Sequence, residues 1–228
     1  MKKLSATQYE FFNQVASLAF VNPFSEQREQ ADCELLNIEM GTHSIFQRSE
    51  KIQQLLRVKL QEFGEFKVVD SSAKNQEIMK YSWLFYQFHE FQQPFIELIE
   101  KQREVGDKAI ELGFAKELIL CFKKVGFNEQ EIEKFIALFY QLHRGFYFIS
   151  SAISGNCASI IQLRMRLWNN IFTFNPQWYV DFLCGKMEDF STLLLGATGT
   201  GKSLVAHTIG CSGFIPFDIN KRCFKESF

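Results

Sequence analysis

The sequence lacks several features that would place it in a known broad class of protein. No apolar run approaches the roughly 18 residues that a membrane-spanning helix needs. The N-terminus, MKKLSATQYEFF, has two lysines but soon turns polar, so it lacks the apolar core of a signal peptide. Basic and acidic residues number 25 and 26, which leaves no positive excess for binding nucleic acid. We therefore expect a cytoplasmic protein that makes no membrane contact.

Cysteine and histidine are present, but not at the spacing of a metal site or a disulfide framework. The six cysteines are scattered and include no CxxC pair, whereas zinc sites and disulfide frameworks usually show closer pairs. We therefore expect reduced thiols. His89 and His143 have no second ligand four residues on, and nothing supports a catalytic role for His43 or His207. No catalytic residue is predicted in this chain.

The sequence is rich in phenylalanine, with 26 in 228 residues, spaced as on the faces of helices. Apolar residues recur at intervals of three and four up to about residue 174. Ser25 predicts the start of a helix, Gly64 the end of one, and Pro94 a kink or boundary. The pattern predicts an N-terminal helical bundle whose phenylalanines form a core rather than line a ligand pocket.

Changes in composition divide the chain into three parts. Residues 1–155 are predicted to form a helical regulatory or sensor domain, with a loop at FKVVDSSAKNQ and a hinge at the small, polar stretch SSAISGN. Residues 156–185 are predicted to hold a linker helix, SIIQLRMRLWNNIFTF, and a short helix that begins at Asn175-Pro176. Residues 186–228 have a different character and are predicted to begin a second domain.

The third part carries the strongest motif. STLLLG is a short apolar run that ends in glycine and predicts a buried strand. GATGTGKS follows directly and matches the pattern G-x-x-x-x-G-K-[ST] in full, and LVAHTIG predicts the helix after it. A strand, a glycine-rich loop and a helix in this order predict a phosphate-binding P-loop.

Each residue type in the loop has a chemical reason to be there. The glycines let the backbone bend so that N–H groups converge on phosphate oxygens. Lys202 can reach the β- and γ-phosphates, and the Ser203 hydroxyl can coordinate Mg²⁺. ATP and Mg²⁺ are thus the expected ligands. The predicted nucleotide-binding residues are Gly196, Ala197, Thr198, Gly199, Thr200, Gly201, Lys202 and Ser203.

The stretch LWNNIFTFNPQWYVDFLCGKMEDFSTLLLGATGTGKSLVAHTIGCSGFIPFD resembles the opening of the AAA+ domain of sigma-54-dependent transcriptional activators. That family has a short helix, a strand, a loop of the type GE[ST]GTGKE and then LVA-x-x-I. The resemblance covers about residues 165–220. Ala197 and Ser203 depart from it, since the family usually has glutamate at both positions. With the helical bundle predicted from periodicity, the chain is expected to be mainly α; after the bundle, the resemblance implies the first strand, P-loop and helix of a truncated α/β AAA+ domain.

The resemblance also implies partners and an activity for the intact protein. Such activators assemble as homo-oligomeric rings and use ATP hydrolysis to remodel the sigma-54 RNA polymerase complex. The segments that contact sigma-54, and the C-terminal domain that binds DNA, are absent from this sequence. So are the acidic Walker B segment, the sensor residues and the arginine finger.

Two other interpretations stay open. The chain could belong to another P-loop ATPase, such as a different AAA+ or signalling NTPase, whose helical part binds a protein partner. Alternatively, it could be a non-enzymatic helical interaction module with a vestigial P-loop.

We predict that the chain by itself does not hydrolyse ATP. Phosphoryl transfer to water needs a held Mg²⁺, an oriented water and charge stabilisation across the γ-phosphate, and only the loop, Lys202 and Ser203 are present. Phosphate release in the presence of ATP and Mg²⁺ should stay at the background rate. Release as fast as that of a full-length activator would contradict this.

Overall fold

A computed structural model shows helices along most of the chain, where the apolar periodicity predicts them. The structure describes residues 4–68, 73–108 and 110–228, without the side chains of residues 73, 74 and 188. The protein is mainly helical, as predicted. Its helices are α1 (Ala6–Leu18), α2 (Glu26–Leu36), α3 (Ile45–Phe63), α4 (Ala73–Glu90), α5 (Gln92–Val105), α6 (Ala115–Lys124), α7 (Glu129–Ala152), α8 (Ala158–Phe172), α9 (Pro176–Trp178) and α10 (Lys202–Gly210). A π-helical turn (Tyr179–Leu183) and a 3₁₀ turn (Met187–Asp189) follow α9, and β1 (Phe217–Asp218) pairs antiparallel with β2 (Cys223–Phe224).

Local capping explains several helix ends. The Ser25 side chain accepts the backbone N–H of Arg28 and starts α2, as predicted. Gly64, at φ 76°, ends α3, where its positive φ suits glycine. Asn175 caps α9 and Pro176 occupies its first turn, again as the sequence indicates.

Pro94 marks a boundary, but the break lies just before it. Helix α4 ends at Glu90 and α5 begins at Gln92, so Pro94 falls in the first turn of α5. A proline is tolerated there because the first N–H groups of a helix have no partner within the helix. In the predicted loop FKVVDSSAKNQ, residues 69–72 lie outside the described residues, and its last four residues already belong to α4.

The chain divides into two compact units. The first unit comprises Met1–Gln92 with Leu120–Asn128, and the second comprises Gln93–Ile119 with Glu129–Phe228. The domain limits predicted from composition stay a prediction. Within the described residues, no helix is both long and apolar enough to cross a membrane.

Helices α1 to α4 pack side by side in the first unit. Its apolar core includes Phe12, Ile52, Leu56 and Phe85, so phenylalanines of the predicted helical stripes do form core. Asp32, fully buried, accepts from Nε of Arg28 at 2.7 Å and from Nε of Arg48 at 3.2 Å. Because its carboxylate has a cationic donor on each side, this buried charge is compensated, and it ties α2 to α3.

Helix α7 is central to the second unit, where it packs against α8, α10 and β1. The Phe172 ring of α8 lies against the backbone of α7 at Gly145, where an added Cβ would come within 2.8 Å of the ring. On another side of α7, the Tyr140 ring stacks on Phe224 of β2 with centroids 4.0 Å apart. Burial raises the pKa of Tyr140 to about 12, so its hydroxyl stays neutral.

The predicted hinge at residues 150–156 is partly helical. Helix α7 continues to Ala152, and residues 153–157 separate it from α8. A helix is present where SIIQLRMRLWNNIFTF predicts one, as α8, and its role as a linker stays a prediction.

The close contact at Gly145 gives a stability prediction. Gly145→Ala should lower the free energy of unfolding by about 1–3 kcal/mol, because a methyl group overpacks this site. The Phe172 ring is buried beside Trp168 and Tyr179, so it has little room to move away. Chemical denaturation measures the change. The control is Gly210→Ala, at a helical glycine with nothing within 4 Å, which should be neutral or stabilising by up to about 1 kcal/mol. Equal effects of the two substitutions would contradict the packing account.

The second stability prediction concerns how the free energy of unfolding changes at acidic pH through His89. Burial, with the Arg28 charge as a smaller cause, lowers the pKa of His89 to about 3. Unfolded His89 takes up a proton near its ordinary pKa of about 6.5, whereas the folded form stays neutral until pH 3. The stability from neutral His89 is therefore complete above pH 6.5 and is lost as the pH falls toward 3, by at most about 1.4 kcal/mol per pH unit. Denaturation at pH 7.5, 6.5 and 5.5 should show a smaller loss for His89→Gln than for the wild type. Equal slopes would contradict this assignment.

Candidate functional site

The eight predicted nucleotide-binding residues form one exposed loop that runs into α10. Gly199 and Gly201 have φ of 83° and 87°, the left-handed region that favours glycine. No atom lies within 4 Å of where a Cβ would stand at either position. Backbone conformation, rather than crowding, is therefore the reason for glycine at these two positions.

The lysine of the motif bends back over the loop. Lys202 Nζ donates to the carbonyl oxygens of Gly196 at 2.9 Å and of Ala197 at 2.7 Å. Thr200 Oγ1 donates to the same Ala197 carbonyl at 2.8 Å. These bonds join the start of the loop to its end and place an ammonium group within its curve.

The loop leads directly into a helix N-terminus. Helix α10 begins at Lys202, and the residue before it, Gly201, has no side chain with which to cap the first turn. Val205 N–H is the first to bond back, to the carbonyl of Gly201 at 3.1 Å. The amides at the start of a helix carry positive partial charge and suit an anion. Ser203 lies in this first turn and is exposed.

The prediction of a strand just before the loop is wrong. Residues 191–196 form no regular strand, and Leu193 and Leu195 are 80% and 84% exposed. A strand needs a hydrogen-bonded neighbour. The regular strands of the described residues, β1 and β2, pair with each other, and an isolated bridge joins Glu111 to Cys223. The apolar run has the composition of a strand but no sheet to join.

The far end of α10 is held by side chains that the sequence interpretation missed. Arg144, fully buried on α7, donates to the carbonyls of Cys211 at 2.8 Å and of Gly213 at 2.6 Å. Gln141, one turn earlier on α7, donates to the carbonyl of Ser212 at 3.0 Å. We call these two side chains and the three carbonyls the carbonyl clamp. Their sequence signal is the occurrence of polar residues within FIALFYQLHRGFYFI, a stretch apolar on nearly every face.

His207 on α10 and Cys211 just after it could suggest nucleophilic chemistry, but the environment of the thiol argues against it. The Cys211 sulfur lies 3.6 Å from Nε2 of His207. Burial raises the pKa of the Cys211 thiol, with Arg144 and Arg103 opposing the shift. A thiol kept protonated is a poor nucleophile. Among the described residues, no group of three or more His, Cys, Asp or Glu side chains is placed to hold a metal ion.

Comparison of the chain with known protein families, with curated proteins and with solved structures finds no match.

Proposed function

We propose that residues 196–203 bind the phosphates of ATP, taken up as its Mg²⁺ complex. The observation that carries the proposal is the combination of left-handed backbone at Gly199 and Gly201 with the Lys202 ammonium held inside the loop. This combination supports the P-loop interpretation of the sequence motif.

The chemistry of the loop fits a phosphate chain. The ammonium group can exchange two neutral carbonyl partners for charged phosphate oxygens, and charge-assisted hydrogen bonds are the stronger kind. The first amides of α10, which follow the loop directly, add further donors. The loop is exposed, so phosphates can reach it from solvent.

Magnesium would be held mainly by the nucleotide. The Ser203 hydroxyl, exposed in the first turn of α10, would supply one oxygen ligand. Mg²⁺ commonly keeps several waters and takes phosphate oxygens as ligands, so it does not need a cage of protein carboxylates. The bound metal would neutralise phosphate charge.

At the level of the whole protein, we propose an ATP-binding regulator of transcription of the sigma-54 activator type. The resemblance of residues 165–220 supports this role. The helical part would then receive a signal and bias ring assembly, and parts outside this sequence would contact the sigma-54 RNA polymerase complex and DNA. The exposed run before the loop fits the alternative of a helical interaction module with a vestigial P-loop, and nucleotide binding distinguishes the two.

We predict that Lys202→Ala weakens binding of ATP with Mg²⁺ by about ten- to hundredfold. The substitution removes hydrogen bonds to charged oxygens, each worth about 1.5–3 kcal/mol. Isothermal titration calorimetry of the full 228-residue chain measures the affinity, and circular dichroism checks the fold.

The matched control is Lys221→Ala, which removes the same charge from an exposed residue beside the Asp218 turn. It should leave the affinity unchanged. Equal losses in the two variants would show that net charge, not the loop, binds the nucleotide. A wild-type chain that binds neither ATP nor ADP would favour the vestigial module.

A further inference from the structure

Helix α10 connects two features of the second unit. It has nine residues, with the phosphate loop at its first residue and the carbonyl clamp just beyond its last. At 1.5 Å per residue, the helix is roughly 13 Å long. Because a helix of this length moves nearly as a rigid rod, whatever fixes its C-terminal end also sets the position of its first turn.

The clamp is specific in its geometry. Arg144 contacts two carbonyls with its two terminal nitrogens, and Gln141 bonds the carbonyl of the residue between them. The three acceptors, Cys211, Ser212 and Gly213, are consecutive. A shift of the chain by one residue would break all three bonds.

Gln141 and Arg144 are themselves held in place. The Tyr179 hydroxyl donates to Gln141 Oε1 at 2.6 Å, which orients the amide so that its nitrogen faces Ser212. The Arg144 guanidinium lies over the rings of Tyr140 and Phe228, at 4.5 and 5.3 Å from their centroids. Such ring faces attract a cation, and the negative ends of the carbonyl dipoles after α10 favour it further.

A second line of bonds continues the connection into the helix. Ser212 Oγ donates to the carbonyl of Thr208 at 2.7 Å, and Thr208 Oγ1 donates to that of Leu204 at 2.9 Å. Both hydroxyl side chains belong to fully buried residues. The chain of bonds thus runs from the clamp to Leu204, two residues after Lys202.

The other side of the loop has weaker support: Thr192 and Asn170 of α8 share an exposed side-chain contact at 3.3–3.4 Å. The preceding residues 191–195 form no regular strand, and two of their leucines are almost fully exposed. In this protein α10, rather than a sheet, is the element that can hold the loop in shape.

We infer that Arg144 and Gln141 are positioning residues for the phosphate loop, acting through α10. The inference rests on the proposed function, because it makes nucleotide affinity depend on two side chains that lie at the opposite end of the helix from the nucleotide. Neither residue touches the phosphates. Each of the two residues fixes the C-terminal end of α10, and the first turn of α10 would donate hydrogen bonds to the phosphates.

The test compares Arg144→Lys and Gln141→Leu with the wild-type chain. Lysine keeps the charge but cannot bond two carbonyls as a fork, and leucine removes the donor to Ser212. Each variant should weaken binding of ATP with Mg²⁺ by about tenfold, which corresponds to the loss of about one strong hydrogen bond. The control is Arg164→Lys, since Arg164 on α8 also donates to a backbone carbonyl, that of Ile153, at 2.8 Å. It should bind as the wild type does.

Amide hydrogen exchange without nucleotide supplies a readout that does not depend on the proposed function. Exchange of residues 205–210, whose amides bond back along α10, should quicken in Arg144→Lys and Gln141→Leu but not in Arg164→Lys, while exchange in α1 of the first unit stays constant. Unchanged exchange at residues 205–210, or an equal rise in α1, overturns the inference. Wild-type affinity in both clamp variants also overturns it.

The two proposals fail in different ways. If the wild-type chain binds no nucleotide, the proposed function is wrong, and hydrogen exchange alone decides whether the clamp positions the loop. If the wild type binds ATP and the clamp variants bind it equally well, the proposed function stands and the inference is wrong.

Discussion

The second unit depends on the burial of α7 on nearly every side. Thirteen of the 24 residues of this helix are buried, and they include Gln141, His143 and Arg144. A buried polar group that lacks a hydrogen bond costs much of the stability that apolar burial supplies. Gln141 and Arg144 direct three N–H donors to the carbonyls that follow α10. The same three bonds therefore lower the cost of burying these polar groups on α7 and fix the end of α10.

This constraint decides how the loop of residues 196–203 is supported. A P-loop normally lies between a strand and a helix, so both ends are fixed. Here the helix end is tied to α7, whereas the apolar run on the other end lies exposed. The Lys202 bonds to Gly196 and Ala197 then join the less supported end of the loop to the better supported one. A single short helix, α10, therefore connects the loop proposed to bind phosphate with the helical core.

The two units use buried charge in the same way. In the first unit Asp32 lies between Arg28 and Arg48 and ties α2 to α3. In the second unit Arg144 ties α7 to the end of α10. A buried charge adds little net stability. We expect both charges to favour the observed pairing of elements, because an arrangement that left either charge without partners would be costly.

The sequence by itself determined most of the helices, several of their ends and the use of glycine where the loop turns. These features depend on interactions within a few residues of the chain, so a local pattern predicts them. They are the apolar periodicity, the Ser25 cap, the end of α3 at Gly64 and the glycines of the loop. Only the tertiary structure decided that residues 191–196 form no strand and that Arg144 holds α10. A strand requires a partner and a buried arginine requires acceptors. In both cases the partner, a second strand or the acceptor carbonyls, would lie far away in the sequence, so a local pattern cannot identify it.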